Sequence, residues 1–225
     1  GVGKTNLVTN LAIALAQKGQ RVIVFDADLG MANIDVLLGI VPKYSLYDVL
    51  EGKKELGEVF VKGPFNIKIV PGGSGIQELA NLDYYQRERL VKNLRSLNNN
   101  ADFLLIDTSA GISRNVLGFA SAADEVIIVM TPEPTSITDA YGLIKIISKY
   151  KLHTEVHLVV NRVINDQEAR QTIAKIETVA NRFLQVKIQP LGYIYDDRAV
   201  NKAVMKQEPF VLEYPESSAA MGIKQ

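Results

Sequence analysis

Gly1-Val2-Gly3-Lys4-Thr5 runs directly into a helix-forming stretch. A glycine-rich turn lets backbone amides curl around an anion, and the positive end of the following helix adds to the attraction. In a phosphate-binding loop of this form, Lys4 reaches the β- and γ-phosphates and the Thr5 hydroxyl ligates Mg2+. Taken alone, the pattern is also that of an ordinary glycine-rich helix start. A second segment, Phe25-Asp26-Ala27-Asp28 continuing to Asn33-Ile34-Asp35, sets two carboxylates one residue apart after an apolar run. Asp28 has the chemistry to orient or deprotonate an attacking water, and Asp26 to hold a magnesium-bound water. A solvated acidic turn capping the next helix has the same composition, and capping is the role that suits Asp35. A third segment, Leu104-Leu105-Ile106-Asp107-Thr108-Ser109-Ala110-Gly111, ends an apolar strand in a carboxylate. A Walker B magnesium site needs that arrangement, although a single such loop can equally cap a helix. Three loops of the right kinds, in order, make coincidence a poor explanation.

These residues need elements to hold them. Leu7, Val8, Leu11 and Leu15 recur at helical spacing and Gly19 follows as a stop, so Lys4–Gln17 is expected to be a helix. Arg21–Phe25 is a short apolar run rich in β-branched residues. Further strand-like runs stand at Ile67–Val70, Phe103–Ile106, Val126–Met130, Val156–Val160 and Val186–Ile194. Helical stretches lie between them near Tyr84–Leu97, Val116–Ala122, Ser136–Tyr150, Glu168–Phe183 and Arg198–Lys206. Strands apolar on both faces and separated by helices predict a three-layer α/β fold, a mostly parallel twisted sheet with helices on both faces. Ligands in such folds sit at the carboxyl ends of the strands, which is where the three loops fall. No repeat or linker divides residues 1–225, so a single domain is expected.

The 225 residues carry 25 lysines and arginines against 25 aspartates and glutamates. A chain with no net charge has no whole-molecule field to draw it onto DNA or anionic lipid, so direct DNA contact is not expected. Cysteine is absent, which excludes disulfides, thiolate zinc sites and iron–sulfur clusters. No apolar run reaches the length of a membrane span. His153 and His157 suggest packing or solvent rather than a metal, and Lys145, Lys149 and Lys151 a solvated helix face.

GVGKTN, FDADLGMANID, DTSAG, TPEPTSITDA and the late Asn161-Arg162 pair together resemble the MinD/ParA ATPases, P-loop NTPases with a deviant Walker A motif, over essentially the whole chain. DADLGMANIDVLLGI, PGGSGIQELA and DTSAGIS further resemble the MinD-like regulators of flagellar number and placement, the FlhG (FleN or YlxH) group. The resemblance implies ATP or ADP with Mg2+, and a phosphate loop of Gly1, Val2, Gly3, Lys4, Thr5 and Asn6. It implies Asp28 as the water-activating residue, Asp26 and Asn33 in the same switch region, and Asp107 as the Walker B carboxylate. Glu133 and Asp139 match a second, partner-facing loop. Asn161 matches the adenine-reading asparagine, whose amide both donates and accepts. Arg162 has the shape to stack on the base, and the backbone of Ile194, Tyr195, Asp196 and Asp197 would complete the pocket.

Also implied are an ATP-dependent homodimer and contacts with an FlhF-type GTPase and flagellar switch proteins. A cytoplasmic location is implied too, with reversible attachment to the membrane through a C-terminal amphipathic helix outside this chain. Ala219, Ala220, Ile223 and Lys224 read as a terminal helix packed on the domain. The family's cross-dimer lysine precedes GVGKT and is not assigned here. The first strand of such a fold, central in its sheet, is likewise expected ahead of Gly1, and Ser109 stands where many relatives have proline. MinD itself or a partitioning ParA shares this chemistry and differs in partners, and a non-hydrolysing nucleotide-binding scaffold is the alternative of another class. A nitrogenase iron-protein type of reductase requires cluster cysteines and is excluded.

Overall fold

The computed structural model describes residues 1–28, 33–73, 83–95, 97 and 101–225. Part of the switch segment (29–32) and most of PGGSGIQELA (74–80) lie outside the described residues, as does residue 96 of the stretch expected to be helical to Leu97.

Helix α1 (Lys4–Gln17) follows Gly3, whose φ of 92° turns the chain into it, and Gly19 at φ 83° follows its end. Left-handed backbone of this kind carries little cost only for glycine. Strand β1 (Val22–Ala27) is buried along its whole length. Three minor elements come next: helices α2 (Ile34–Leu37) and α3 (Leu46–Leu50), then strand β2 (Val61–Lys62). All three are too short for periodicity to reveal. The α3 start is set by a capping box, Ser45 accepting from Tyr47 N–H and Asp48 from Ser45 N–H. Strand β3 (Lys68–Val70), helix α4 (Tyr84–Arg95) and strand β4 (Phe103–Thr108) complete the first half.

The second half alternates helix α5 (Arg114–Ala122), strand β5 (Ile127–Met130), helix α6 (Pro134–Lys149), strand β6 (Glu155–Val163), helix α7 (Asp166–Phe183) and strand β7 (Lys187–Tyr195). Helices α8 (Arg198–Lys206), α9 (Phe210–Glu213) and α10 (Ser218–Lys224) close the chain. Ala219, Ala220 and Ile223 of α10 are buried with Leu7, Ala14 and Ile194, so the terminal helix is packed on the domain as expected.

The strands pair as two sheets, β2-β3-β1-β4 and β5-β6-β7, parallel throughout except for β2. The edges of β4 and β5 face each other across a slot of about 900 Å3. Leu105 and Ile106 of β4, Ile127 and Val129 of β5, Leu11 of α1 and Phe119 of α5 are among its lining residues. The slot accounts for the exposure of β4: its FLLI run reads as a central strand, yet only Asp107 in β4 is buried and Phe103 is 42% exposed.

Candidate nucleotide and magnesium site

Parallel pairing brings the carboxyl ends of β1 and β4 level, and Asp26 is the direct cross-strand partner of Asp107. Both are buried, at 1% and 2% exposure. Removing two carboxylates from water beside each other disfavours the charged forms. Burial, followed by the charge of Asp107, pushes the Asp26 carboxyl up to about 7, against the pull of three backbone amides. Burial pushes Asp107 up to about 6, with the charge of Asp28 adding to it, while a hydrogen bond from Thr5 and the charge of Lys4 hold it down.

The two carboxylates are used differently. Asp26 Oδ1 accepts from Asp28 N–H at 3.2 Å, and Oδ2 accepts from Asn33 N–H at 2.9 Å and Ile34 N–H at 3.1 Å. Asp26 thereby staples the two ends of the loop that carries Asp28. Asp107 Oδ1 has no hydrogen-bond partner among the described residues. A buried carboxylate oxygen without a partner, beside the Thr5 hydroxyl, is a donor set suited to a hard divalent cation. Magnesium fits these residues, with Asp107 and Thr5 as candidate ligands and Asp26 above all an organiser of the loop.

The capping alternatives are resolved by hydrogen bonds. Helix α5 after β4 is capped by Ser113, which accepts from Val116 N–H, and not by Asp107. Asp35 lies inside the first turn of α2, after the N-cap residue Asn33, and accepts from its neighbour Val36 N–H; it is not the cap expected from the sequence.

The N-cap residue of α1, Gly3, offers the first-turn amides no side-chain cap, which suits them to an anion. Asn161, at the end of β6, reaches this turn: its Nδ2 donates to Val2 O at 2.8 Å, and its Oδ1 accepts from Arg162 N–H at 3.0 Å. A Cβ on Gly3 would come within 2.3 Å of Asn161 Nδ2, so only glycine admits this approach. A primary amide has two donors and two acceptor lone pairs, so Asn161 keeps one of each for a ligand. Arg162 takes a left-handed φ of 62° and its guanidinium pairs with Asp196 at 3.5 Å. Asp196 N–H donates to Val163 O, Ile194 is buried, and the Tyr195 hydroxyl donates to Asp166 at the start of α7.

The structure thus brings Gly3, Lys4, Thr5, Asp26, Asp28 and Asp107 to one sheet edge, and groups Asn161 and Arg162 with Asp196 beside the Val2–Gly3 turn. Glu133 follows β5 at the same edge as the exposed N-cap residue of α6, where it makes no side-chain cap, and Asp139 is exposed further along that helix. Asn10 and Thr131 are among the buried polar residues that the sequence did not single out. Asn10 joins α1 to the C-terminal segment, donating to Asn6 O and accepting from Val211 N–H. Thr131, after β5, has a buried hydroxyl without a partner among the described residues. An asparagine amid the apolar residues of α1 was the available signal for the first.

Mostly parallel sheets separated by helices in the chain, with a glycine turn, a helix start without a side-chain cap and buried carboxylates at one edge, define a nucleotide-binding α/β protein. Residues 1–210 match the CobQ/CobB/MinD/ParA nucleotide binding domain, and the chain belongs to that family. It is 45% identical to the antiactivator FleN of Pseudomonas aeruginosa, over 100% of this chain and 80% of FleN. It is 34% identical to the flagellum site-determining protein YlxH of Helicobacter pylori, over 92% of this chain and 70% of that protein. Among solved structures, the septum site-determining protein MinD of Pyrococcus horikoshii, complexed with Mg-ADP, superposes with a TM-score of 0.83. It shares 26% identity and is matched over 100% of this chain and 88% of that one.

Proposed function

We propose that the protein is a Mg-ATP-dependent switch ATPase. The observation that carries the reading is the buried Asp26–Asp107 pair beside the Lys4-Thr5 helix start, one carboxylate consumed in shaping a loop and the other with an oxygen to spare. Lys4 and the first-turn amides of α1 would grip the β- and γ-phosphates, and Thr5 with Asp107 would hold the metal. When bound, Mg2+ neutralises charge on the phosphate oxygens. The Asp28 carboxylate orients a water toward the terminal phosphorus and accepts its proton as the P–O bond to the leaving diphosphate breaks. Asn161 would read the adenine edge, with Arg162 against its face and the backbone of Ile194, Tyr195 and Asp196 closing the pocket.

The likeness to FleN and YlxH supports a role in controlling flagellar number or placement, with nucleotide-dependent homodimerisation, an FlhF-type GTPase and flagellar switch proteins as partners. Attachment at the cytoplasmic membrane belongs to the same proposal; no helix among the described residues is long and apolar enough to cross one. The slot between β4 and β5, open to strand pairing on both edges and apolar inside, supports one more parallel strand leading into the phosphate loop and completing a single domain. Substituting Asp28 by alanine, with nucleotide binding and phosphate release measured side by side, tests the reading. Binding with turnover lost supports it, and turnover at the parental rate removes Asp28 from its role.

A further inference from the structure

Helix α8 connects two parts of the site. It begins at Asp197, directly after the residues of the base pocket, and Asp197 is well anchored there. Its Oδ1 accepts from Ala199 N–H at 2.8 Å, and its Oδ2 accepts from the Ser218 hydroxyl at 2.7 Å and from Ala219 N–H at 3.3 Å. The helix ends at Gln207, whose φ of 56° and ψ of 40° are left-handed. Glycine takes this conformation freely at a helix end, and a residue with a side chain takes it at a cost. The side chain of Gln207 crosses to another part of the chain, where its Nε2 donates to the carbonyl of Val36 at 2.9 Å. Gly39, itself left-handed at φ 61°, lies against Gln207: a Cβ there would come within 3.6 Å of the Gln207 Cβ.

Val36 belongs to α2, the helix that follows the Asp28 loop. Asp26 grips the start of that loop through Asp28 N–H and its end through Asn33 and Ile34 N–H. Gln207 grips the helix just beyond. Position 207 therefore combines an unfavourable backbone with a bond to the hydrolytic loop's neighbour. Helix ending alone would be served better by glycine.

We propose that Gln207 is a positioning residue for hydrolysis: its amide fixes α2, and with it the loop that carries Asp28, against α8. The inference rests on the reading of Asp28 as the water-activating residue. Two variants separate it from a structural role. Gln207→Gly removes the bond and relieves the backbone, so the melting temperature should hold or rise. Gln207→Glu keeps the length and removes the donor. In both, kcat should fall roughly three- to tenfold, the factor that one hydrogen bond's worth of positioning represents, while KM for ATP stays within about twofold.

Hydrogen exchange gives a readout that does not depend on turnover. The amides of Leu37, Leu38, Gly39 and Ile40, which donate within α2 and its end, should exchange faster in both variants of the nucleotide-free protein. Faster exchange with lower kcat supports the proposal. Unchanged exchange overturns it, and so does unchanged kcat where exchange is faster. Asp28→Ala run in parallel distinguishes the two readings: parental turnover there would remove the role of Asp28, while the exchange data still decide whether Gln207 holds α2.

Discussion

On the four-stranded side of the molecule, Asp26 and Asp107 stand next to each other at 1% and 2% exposure, and their carboxyls are pushed up to about 7 and about 6. On the three-stranded side, Arg162 and Asp196 pair at 3.5 Å with both side chains more than half exposed. The first side buries charge in positions where folding alone would favour apolar residues. The second relies on amide and backbone hydrogen bonds, from Asn161 to Val2, from Arg162 N–H to Asn161 and from Asp196 to Val163. Buried carboxylates are suited to a cation and to transferring a phosphoryl group, and half-exposed hydrogen-bonding groups to reading a base. The proposed function places chemistry in the first half and recognition in the second, with Asn161 crossing between them at the Val2–Gly3 turn.

The largest effect should come from the chemical half. Asp28→Ala is expected to lower turnover about 10²- to 10⁴-fold, the usual worth of a general base, with ATP affinity little changed. Lys4→Ala should instead weaken nucleotide binding, because the proposed role of that side chain is to contact the phosphates. If Asp28→Ala lost binding and kept the rate per bound nucleotide, the division would fail.

A smaller effect is expected on the recognition half. ATP should bind at least about tenfold more tightly than GTP, a preference of about 1.4 kcal/mol, and Asn161→Ala should narrow that ratio without lowering kcat. Equal affinity of the parent for both nucleotides in a calorimetric titration would remove Asn161 from base reading.

The smallest concerns stability alone. Asp26 ionises near 3.8 when unfolded and near 7 when folded, so between these values the folded protein holds a proton that the unfolded chain has released. Stability from this group is present below the lower value and is lost as pH rises through the upper one. The nucleotide-free protein should therefore melt at a lower temperature at about pH 7.5 than at about pH 5, and Asp26→Asn should flatten that difference. A steeper slope in the variant would show that burial of Asp26 is not its cause.

Much of this was legible in the residues. Among the described residues, the alternation of apolar runs and helical stretches placed six of the seven strands and all the long helices, because buried parallel strands and amphipathic helices leave strong periodic signals. The second and third loops were readable because each follows a strand at the ligand edge, and the first because its glycines stand directly before a helix. What escaped were effects of distance. Asp26 and Asp107 are 81 residues apart and become neighbours only through parallel register. Gln207 meets Val36 across 171 residues. A glutamine late in the chain carries no local mark of that bond, and the four residues of α2 are too few for a period. Asp35 looked like a cap because the sequence has an acidic residue where a helix begins, whereas the N-cap is Asn33, two residues before it.

The proposed function rests on one site that binds Mg-ATP through Asp107 and Thr5 and hydrolyses it. Nucleotide affinity and single-turnover phosphate release, measured on the parent and on Asp107→Asn with and without Mg2+, test it most directly. Mg2+ should tighten ATP binding to the parent and permit phosphate release, and Asp107→Asn should lose most of both effects. Equal ATP binding and release with and without Mg2+, or an Asp107→Asn protein that responds to Mg2+ as the parent does, would contradict it.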